Sequence, residues 1–295
     1  MYLKSVIEGV GKTPLLKLGE SNIFAKLEYF NPLHSVKDRA ALFMIEGAEK
    51  RGDLKPGGTI VEPTSGNTGI GLTYIGRQKG YRVILTMPEN MSEERKKLLR
   101  LLGAELVLTP AAEGMNGAVL RAKQLVAELP GAYIPMQFDN PDNVRAHVET
   151  TAREIVADLD RPVDYLVVTV GSGGTLTGLS RALKAVYPGL MTVAVEPAES
   201  PLLSQGKAGP HGIQGIGANF IPANVDRNLI DRIVTVTTRE AFETAKFAAK
   251  TYGTLIGISA GAALAASLKI ASEHPDKTVV TLFPDTGERY LSVPD

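Results

Sequence analysis

Short apolar runs that alternate with longer helical patterns are the feature that most constrains the fold of this chain. These runs predict strands at 23–27, 59–62, 82–86, 105–108, 165–170, 192–195, 233–236 and 278–283. Helical patterns fill most of the gaps, and this order is typical of βαβ units, in which helices cover both faces of a parallel sheet. The sequence therefore predicts an α/β protein with mostly parallel sheets.

Composition and charge exclude several classes of function. The 295 residues include 32 basic and 32 acidic side chains, and this balance argues against nucleic-acid binding. The chain has no cysteine, which excludes disulfide scaffolds, zinc–thiolate sites, iron–sulfur clusters and a cysteine nucleophile. Its four histidines lack metal-ligand spacing, so no metal site is predicted. Without a signal-peptide pattern or a membrane span, the predicted location is the cytoplasm, with no membrane binding.

Two strand-to-helix junctions have the composition of anion-binding sites. In Glu62-Pro-Thr-Ser-Gly-Asn-Thr-Gly69, small polar residues follow one predicted strand. In Val168-Thr-Val-Gly-Ser-Gly-Gly-Thr175, three glycines precede the helix predicted over 176–186. Backbone N–H groups at a helix N-terminus point the same way and bind anions. The second junction lacks the G-x-G-x-x-G spacing, and the chain has no P-loop, so a phosphorylated cofactor smaller than a dinucleotide is indicated.

A third junction supplies a hydroxyl group. Gly257-Ile-Ser259-Ala-Gly261 matches the G-x-S-x-G elbow of hydrolases, but only His274 follows it, and Glu273 is the only carboxylate between them. The usual order of acid and histidine therefore cannot be assembled. A triad with a histidine from elsewhere in the chain stays open as an alternative. We expect Ser259 instead to hydrogen-bond a ligand.

A fourth junction supplies an amine. Lys37 lies near the start of a helix that the pattern extends through 41–50, where the helix dipole disfavours a cation and so assists a Schiff-base nucleophile. The alternative is a solvated lysine that pairs with a nearby carboxylate. Taken together, an amine, a phosphate site, a second anion site and a hydroxyl are the groups that pyridoxal 5′-phosphate requires.

The chain resembles the cysteine synthase family of fold-type-II pyridoxal-phosphate enzymes, the O-acetylserine sulfhydrylases, over nearly its whole length. The motifs that carry the resemblance are Asn31-Pro-x-x-Ser-Val-Lys37-Asp-Arg39, Glu62-Pro-Thr-Ser-Gly-Asn-Thr-Gly-Ile-Gly71, Met136-Gln-Phe-x-Asn-Pro141, Gly171-x-Gly-Gly-Thr175, Ile213-Gln-Gly-Ile-Gly217 and Asp285-x-Gly-Glu-Arg-Tyr290. The resemblance implies two α/β domains similar to tryptophan synthase β. Residues 1–34 and 146–295 would form a large cofactor-binding domain, and 35–145 a smaller mobile domain with the lysine and the substrate-carboxylate loop.

The resemblance also implies a role for each candidate residue. In the family, the lysine that matches Lys37 forms the internal aldimine and moves the α-proton, so Lys37 is the catalytic residue. The implied cofactor-binding residues are Lys37, Asn67, Gly171, Ser172, Gly173, Gly174, Thr175 and Ser259. The implied substrate-binding residues are Thr64, Ser65, Gly66, Asn67, Thr68, Gln137 and Gly215. Among these, Asn67 would bond the cofactor's 3′-oxygen and Ser259 its pyridine nitrogen.

The implied reaction is a β-replacement. O-acetyl-L-serine would lose acetate to leave an aminoacrylate, to which sulfide would add to give L-cysteine. Cystathionine β-synthase and O-phosphoserine sulfhydrylase remain alternatives, and a binding subunit for serine acetyltransferase is the non-catalytic one. A homodimer is expected, with serine acetyltransferase as a further candidate partner. The sequence departs from the common pattern at Ser172, Ala260 and Asn219, the last standing where glycine is common; asparagine tolerates positive φ.

Overall fold

The computed structural model describes residues 2–293 as two compact units, each built on one mostly parallel sheet. In chain order the elements are β1 (Leu15–Lys17), β2 (Ile23–Leu27), α1 (Lys37–Arg51), β3 (Thr59–Pro63), α2 (Asn67–Gln78), β4 (Arg82–Pro88), α3 (Glu93–Leu101), β5 (Glu105–Thr109), α4 (Gly114–Glu128), β6 (Ala132–Tyr133), α5 (Pro141–Ala146), α6 (Ala152–Asp158), β7 (Tyr165–Thr169), α7 (Gly174–Val186), β8 (Met191–Pro197), α8 (Leu202–Gln205), β9 (Arg232–Val236), α9 (Thr238–Tyr252), α10 (Ile258–Glu273) and β10 (Val279–Phe283). A π-helix spans His147–Thr151, and short 3₁₀ helices span Val6–Gly9, Glu28–Phe30, Ala111–Glu113, Arg227–Leu229 and Gly287–Tyr290.

The smaller unit comprises residues 2–10 and Lys37–Asn143. Its four strands are all parallel, in the order β5-β4-β3-β6. The side chains of β4 beyond Arg82 are buried on both faces, as expected for a central strand of a parallel sheet. Ala122 and Leu125 of α4 pack on Val61 and Ile84 of the sheet. The unit therefore has its own hydrophobic core.

The larger unit comprises Gly11–Val36 and residues 144–293. Its strands run in the order β1-β2-β10-β7-β8-β9, and only β1 is antiparallel to its neighbour. Helix α10 packs on this sheet and against α9. A Cβ at Gly261 would lie 2.1 Å from the carbonyl oxygen of Ala241, so glycine allows the two helices to pack closely at this point. This packing fixes the N-terminus of α10, where Ser259 lies.

The structure confirms the predicted strands, with small differences in their bounds, and adds two. Strands β1 and β6 have three and two residues, which is too short to give an alternating pattern. Helix α3 has a capping residue at its start and a glycine just after its end: the Ser92 side chain accepts a hydrogen bond from the Arg95 N–H, and Gly103 takes a φ of 98°.

The division into units differs from the predicted domains in one respect. Residues 2–10 belong to the smaller unit, whereas the prediction assigned the N-terminal segment to the large domain. This segment contributes no strand to the larger sheet, whose first strand begins at Leu15. The other breaks, after Val36 and after Asn143, lie within two residues of the predicted ones. Within residues 2–293, no helix is long and apolar enough to cross a membrane.

Candidate active site

Lys37 is the first residue of α1, and α2 packs closely against this turn. A Cβ at Gly71 would lie 3.0 Å from the Lys37 carbonyl oxygen, so glycine permits the approach of the two helices. Asp38 is fully buried beside Tyr74 of α2, and burial, reinforced by the charge of Asp38, raises the pKa of the Tyr74 phenol. Tyr74 therefore stays neutral at physiological pH, next to the turn that carries the lysine.

The polar loop between β3 and α2 contains the predicted residues 64–68. Thr64 and Thr68 are buried, and the residues between them are partly exposed. The Thr64 hydroxyl accepts a hydrogen bond from the Gly66 N–H at 3.3 Å, and Gly66 caps α2. The first N–H groups of α2 have no acceptor within the helix, so this loop offers donors of the kind that suit an anion such as a carboxylate.

Gln137 meets this loop, as its place among the predicted substrate residues requires. The Thr68 hydroxyl donates a hydrogen bond to Gln137 Oε1 at 2.6 Å, and both side chains are buried. Asn143 Nδ2 donates to the Gln137 carbonyl oxygen at 2.8 Å. The structure thus brings together two residues that lie 69 positions apart in the chain.

The predicted phosphate loop connects β7 to α7 in the larger unit. Gly173 takes a φ of 85°, and a Cβ there would lie 2.6 Å from Cγ2 of Val225. A Cβ at Gly171 would lie 2.4 Å from the carbonyl oxygen of Gly215. Neither position has room for a side chain, so both require glycine. The close contact with Gly215 also brings Gly171 next to a predicted substrate-binding residue. The loop directs the N-terminus of a 13-residue helix towards the carboxyl edge of the sheet.

His147 supports this loop and was not predicted as a site residue. It is buried, its Nε2 lies 3.1 Å from Thr175 Oγ1, and its Nδ1 lies 2.9 Å from Thr151 Oγ1. This chain of polar groups fixes the orientation of the Thr175 hydroxyl at the start of α7. No local sequence pattern could have identified the contact, because 28 residues separate the two partners.

Ser259 is the second residue of α10 and is almost completely buried. The residue before this helix, Gly257, packs on Asp285, since a Cβ there would lie 2.0 Å from Asp285 Oδ1. Asp285 Oδ2 accepts a hydrogen bond from the Tyr290 hydroxyl at 2.5 Å. The C-terminal motif that contains Asp285 and Tyr290 therefore packs against the turn that presents Ser259.

Asn219 takes a φ of 59°, which confirms that this position uses the left-handed region where glycine is common. Its Oδ1 accepts a hydrogen bond from the Ser200 hydroxyl at 3.4 Å. A small pocket that opens to solvent is lined by Gly171, Ser200 and Phe220. The long irregular segment after β8 thus borders the phosphate loop.

The donor set of the larger unit fits pyridoxal 5′-phosphate. The first N–H groups of α7, which have no acceptor within the helix, and the Ser172 and Thr175 hydroxyls suit a phosphate dianion. A neutral hydroxyl at Ser259 suits a pyridine nitrogen. Within residues 2–293, no group of three or more His, Asp or Glu side chains could hold a metal ion.

The comparisons with known proteins agree with this geometry. The sequence model described as "Pyridoxal-phosphate dependent enzyme" matches residues 6–285. A cysteine synthase of Staphylococcus aureus is 48% identical over 98% of this chain and 96% of its own length. The chain belongs to the cysteine synthase family of pyridoxal-phosphate dependent enzymes. The predicted family and cofactor are therefore confirmed.

Solved structures of this family share the fold. O-acetyl serine sulfhydrylase isoform 3 from Entamoeba histolytica superposes with a TM-score of 0.96, at 43% identity, over 99% of this chain and 91% of that chain. An O-acetylserine dependent cystathionine β-synthase from Helicobacter pylori gives 0.92 at 40% identity, over 100% and 99% of the two chains. The two mostly parallel sheets are thus the fold-type-II arrangement, and the predicted fold class is confirmed. The chain is an enzyme of the cysteine synthase type.

Proposed function

We propose that this enzyme replaces the acetate group of O-acetyl-L-serine with sulfide to form L-cysteine. The observation that carries the proposal is the phosphate loop at Gly171–Thr175, in which Gly171 and Gly173 leave no room for a side chain. This loop suits the phosphate of pyridoxal 5′-phosphate and lacks the glycine spacing of a dinucleotide-binding loop. Both solved relatives described above are named for O-acetylserine, which supports this activated serine over free serine or O-phosphoserine.

Named residues would hold the cofactor. Residues 171–175 would bind its phosphate, Ser259 its ring nitrogen, Asn67 its 3′-oxygen and Lys37 its aldehyde carbon. When bound, the cofactor supplies a ring that withdraws electrons from the substrate's α-carbon. A serine hydroxyl carries no negative charge at neutral pH, so Ser259 would leave the ring nitrogen unprotonated and favour elimination of the β-substituent over transamination.

Lys37 would take the proton from the α-carbon of the substrate, which allows acetate to leave from the β-carbon. An amine at the start of α1 suits this role, since the helix dipole disfavours its protonated form. The loop of residues 64–68 would bind the substrate carboxylate through its N–H groups and hydroxyls, with Gln137 hydrogen-bonded to Thr68. Gly215, whose backbone lies against Gly171, would border the substrate.

The proposed reaction can be tested with the holoenzyme and its visible absorbance. O-acetylserine should shift the cofactor band, sulfide should restore it, and mass spectrometry should detect cysteine. A band that responds to serine or O-phosphoserine but not to O-acetylserine would contradict the proposed donor. If the enzyme instead used homocysteine in place of sulfide and formed cystathionine, its activity would be the O-acetylserine dependent cystathionine β-synthase activity for which the Helicobacter pylori relative is named.

The hydroxyl of Thr68 is expected to determine substrate affinity. Thr68→Val removes the donor to Gln137 Oε1 and leaves a buried amide carbonyl without this partner. We expect the KM for O-acetylserine to rise about tenfold or more, with a smaller change in kcat. Steady-state kinetics with each substrate varied in turn would measure both.

Thr73→Val is the matched control for this substitution. Thr73 is buried in the same helix, and its hydroxyl donates to the Gly69 carbonyl oxygen at 2.6 Å. An equal rise in KM for Thr73→Val would attribute the effect to destabilisation of α2 and contradict the specific role of Thr68.

The expected assembly is a homodimer in the cytoplasm, with serine acetyltransferase as a candidate partner; these points rest on the family resemblance. Light scattering of the purified enzyme would measure its mass. Titration with a serine acetyltransferase tail peptide, with and without O-acetylserine, would test whether peptide and substrate compete.

A further inference from the structure

We propose that Glu62 is a positioning residue for the substrate: its carboxylate clamps the backbone at residues 136–137 and thereby orients the Gln137 side chain. Glu62 lies near the end of β3, is fully buried, and contributes nothing to the reaction as described so far. The inference deepens the proposed function, because it rests on Gln137 as a residue of the substrate-carboxylate site.

The clamp consists of two hydrogen bonds from consecutive N–H groups. The Met136 N–H donates to Glu62 Oε2 at 2.9 Å, and the Gln137 N–H donates to Oε1 at 3.1 Å. Each carboxylate oxygen therefore accepts one donor, and both donors belong to a segment more than 70 residues away in the chain. Hydrogen bonds that a buried carboxylate accepts from neutral N–H groups are stronger than hydrogen bonds between two neutral groups.

The clamped turn is strained, and it leads directly to the proposed site. Met136 takes a φ of 54°, which is uncommon for a residue with a side chain and needs support from its surroundings. The next residue is Gln137, whose Oε1 accepts the hydrogen bond from Thr68. Glu62 thus fixes the backbone from which Gln137 reaches Thr68, without itself lying on the carboxylate loop.

The charge state of Glu62 determines whether the clamp holds. Burial raises the pKa of Glu62 to about 7, although the two N–H groups oppose this and Asp139 adds to it. Asp139 and Tyr133 are the titratable groups that interact electrostatically with Glu62, and the Tyr133 phenol stays neutral because burial raises its pKa. Protonation replaces one acceptor with an O–H that faces an N–H donor, so the clamp weakens as the pH falls below about 7.

Stability and substrate affinity should depend on pH in opposite directions. The pKa of Glu62 is higher in the folded protein than its ordinary value of 4.5, so the folded state binds this proton more tightly than the unfolded chain does. The contribution of Glu62 to stability is therefore fully present below pH 4.5 and is lost as the pH rises to about 7. Affinity for the amino-acid substrate should increase as the pH rises through about 7, where Glu62 loses its proton.

Glu62→Gln tests the proposal, because an amide places an N–H group where the protonated acid places its O–H. In the holoenzyme, we expect the KM for O-acetylserine to rise about tenfold at about pH 8.5, with a smaller change in kcat. The wild-type KM should rise from about pH 8.5 to about pH 6, whereas the Glu62→Gln profile should be flatter. Amide hydrogen exchange of the peptide that spans 134–139 should be faster in the variant without substrate.

Glu196→Gln is the matched control. Glu196 also lies before the final proline of a strand, is buried, and accepts backbone hydrogen bonds from Leu203 at 2.7 Å and Ser204 at 3.0 Å. Neither donor belongs to the proposed substrate site. This variant should lower the melting temperature and leave the pH profile of the KM as in the wild type.

Three results would overturn the proposal: a wild-type KM and pH profile in Glu62→Gln, an unchanged exchange rate at 134–139, or an equal flattening of the profile by Glu196→Gln. Failure of the proposed function gives a different result. In that case wild-type holoenzyme would not respond to O-acetylserine at all, while faster exchange at 134–139 in Glu62→Gln would still report the clamp.

Discussion

Replacement of Lys37 by alanine is expected to lower the rate of cysteine formation by about four orders of magnitude, the upper range for loss of a group that acts as both nucleophile and base. The chain offers no substitute in the first turn of α1, since the next residues are Asp38 and Arg39, both buried. Turnover of O-acetylserine and sulfide would measure the loss. The phosphate loop is unaltered in this variant, so the purified protein should still bind the cofactor.

Borohydride reduction separates the role of Lys37 from a general effect on folding. Reduction of the wild-type holoenzyme should fix the cofactor to a peptide that contains Lys37, which mass spectrometry can identify. Lys50→Ala, at an exposed position in the same helix, is the control and should keep both activity and the labelled peptide. Labelling of another lysine in the wild type, or near-normal turnover in Lys37→Ala, would contradict the assignment.

The parts of the site that follow directly from local sequence were predictable. Gly171–Thr175 follows a buried strand and precedes a helix, so its composition alone indicates a turn that binds an anion. Ser259 is predictable for the same reason, because small residues around it allow a tight turn into a helix. In both cases the signal is the local composition of a tight turn into a helix, although the atoms that leave no room for a side chain at Gly171 and Gly257 belong to Gly215 and Asp285, far away in the chain.

The supporting residues were not predictable, because their partners lie far away in the chain. His147 contacts Thr175 across 28 positions, and Glu62 contacts Met136 across 74. Both are buried polar residues, and a buried polar group must find a partner. The sequence contains no signal for which partner that is, since the answer depends on how the strands and helices pack.

Replacement of Gly173 by alanine is expected to reduce the affinity for the cofactor about 100-fold. The added methyl group disfavours the left-handed backbone conformation at this position and lies too close to Val225. A non-glycine residue in the left-handed region costs roughly 1–2 kcal/mol, and about 1.4 kcal/mol corresponds to a tenfold change in an equilibrium constant. The added Cβ would also lie 3.0 Å from the Val225 backbone nitrogen, which cannot move as a flexible side chain could. The loop can relieve the backbone strain and the close contact with Val225 only by rotating its N–H groups away from the phosphate.

The dissociation constant of the cofactor, from absorbance titration of the apoenzyme, measures this effect without reference to turnover. Gly189→Ala is the matched control, because Gly189 follows α7 and an added Cβ there meets no atom within 4 Å. Circular dichroism of the two apo variants separates a local change in the loop from loss of the fold. Wild-type cofactor affinity in Gly173→Ala would show that the phosphate is held elsewhere, and the loop at 171–175 would then lose its proposed role.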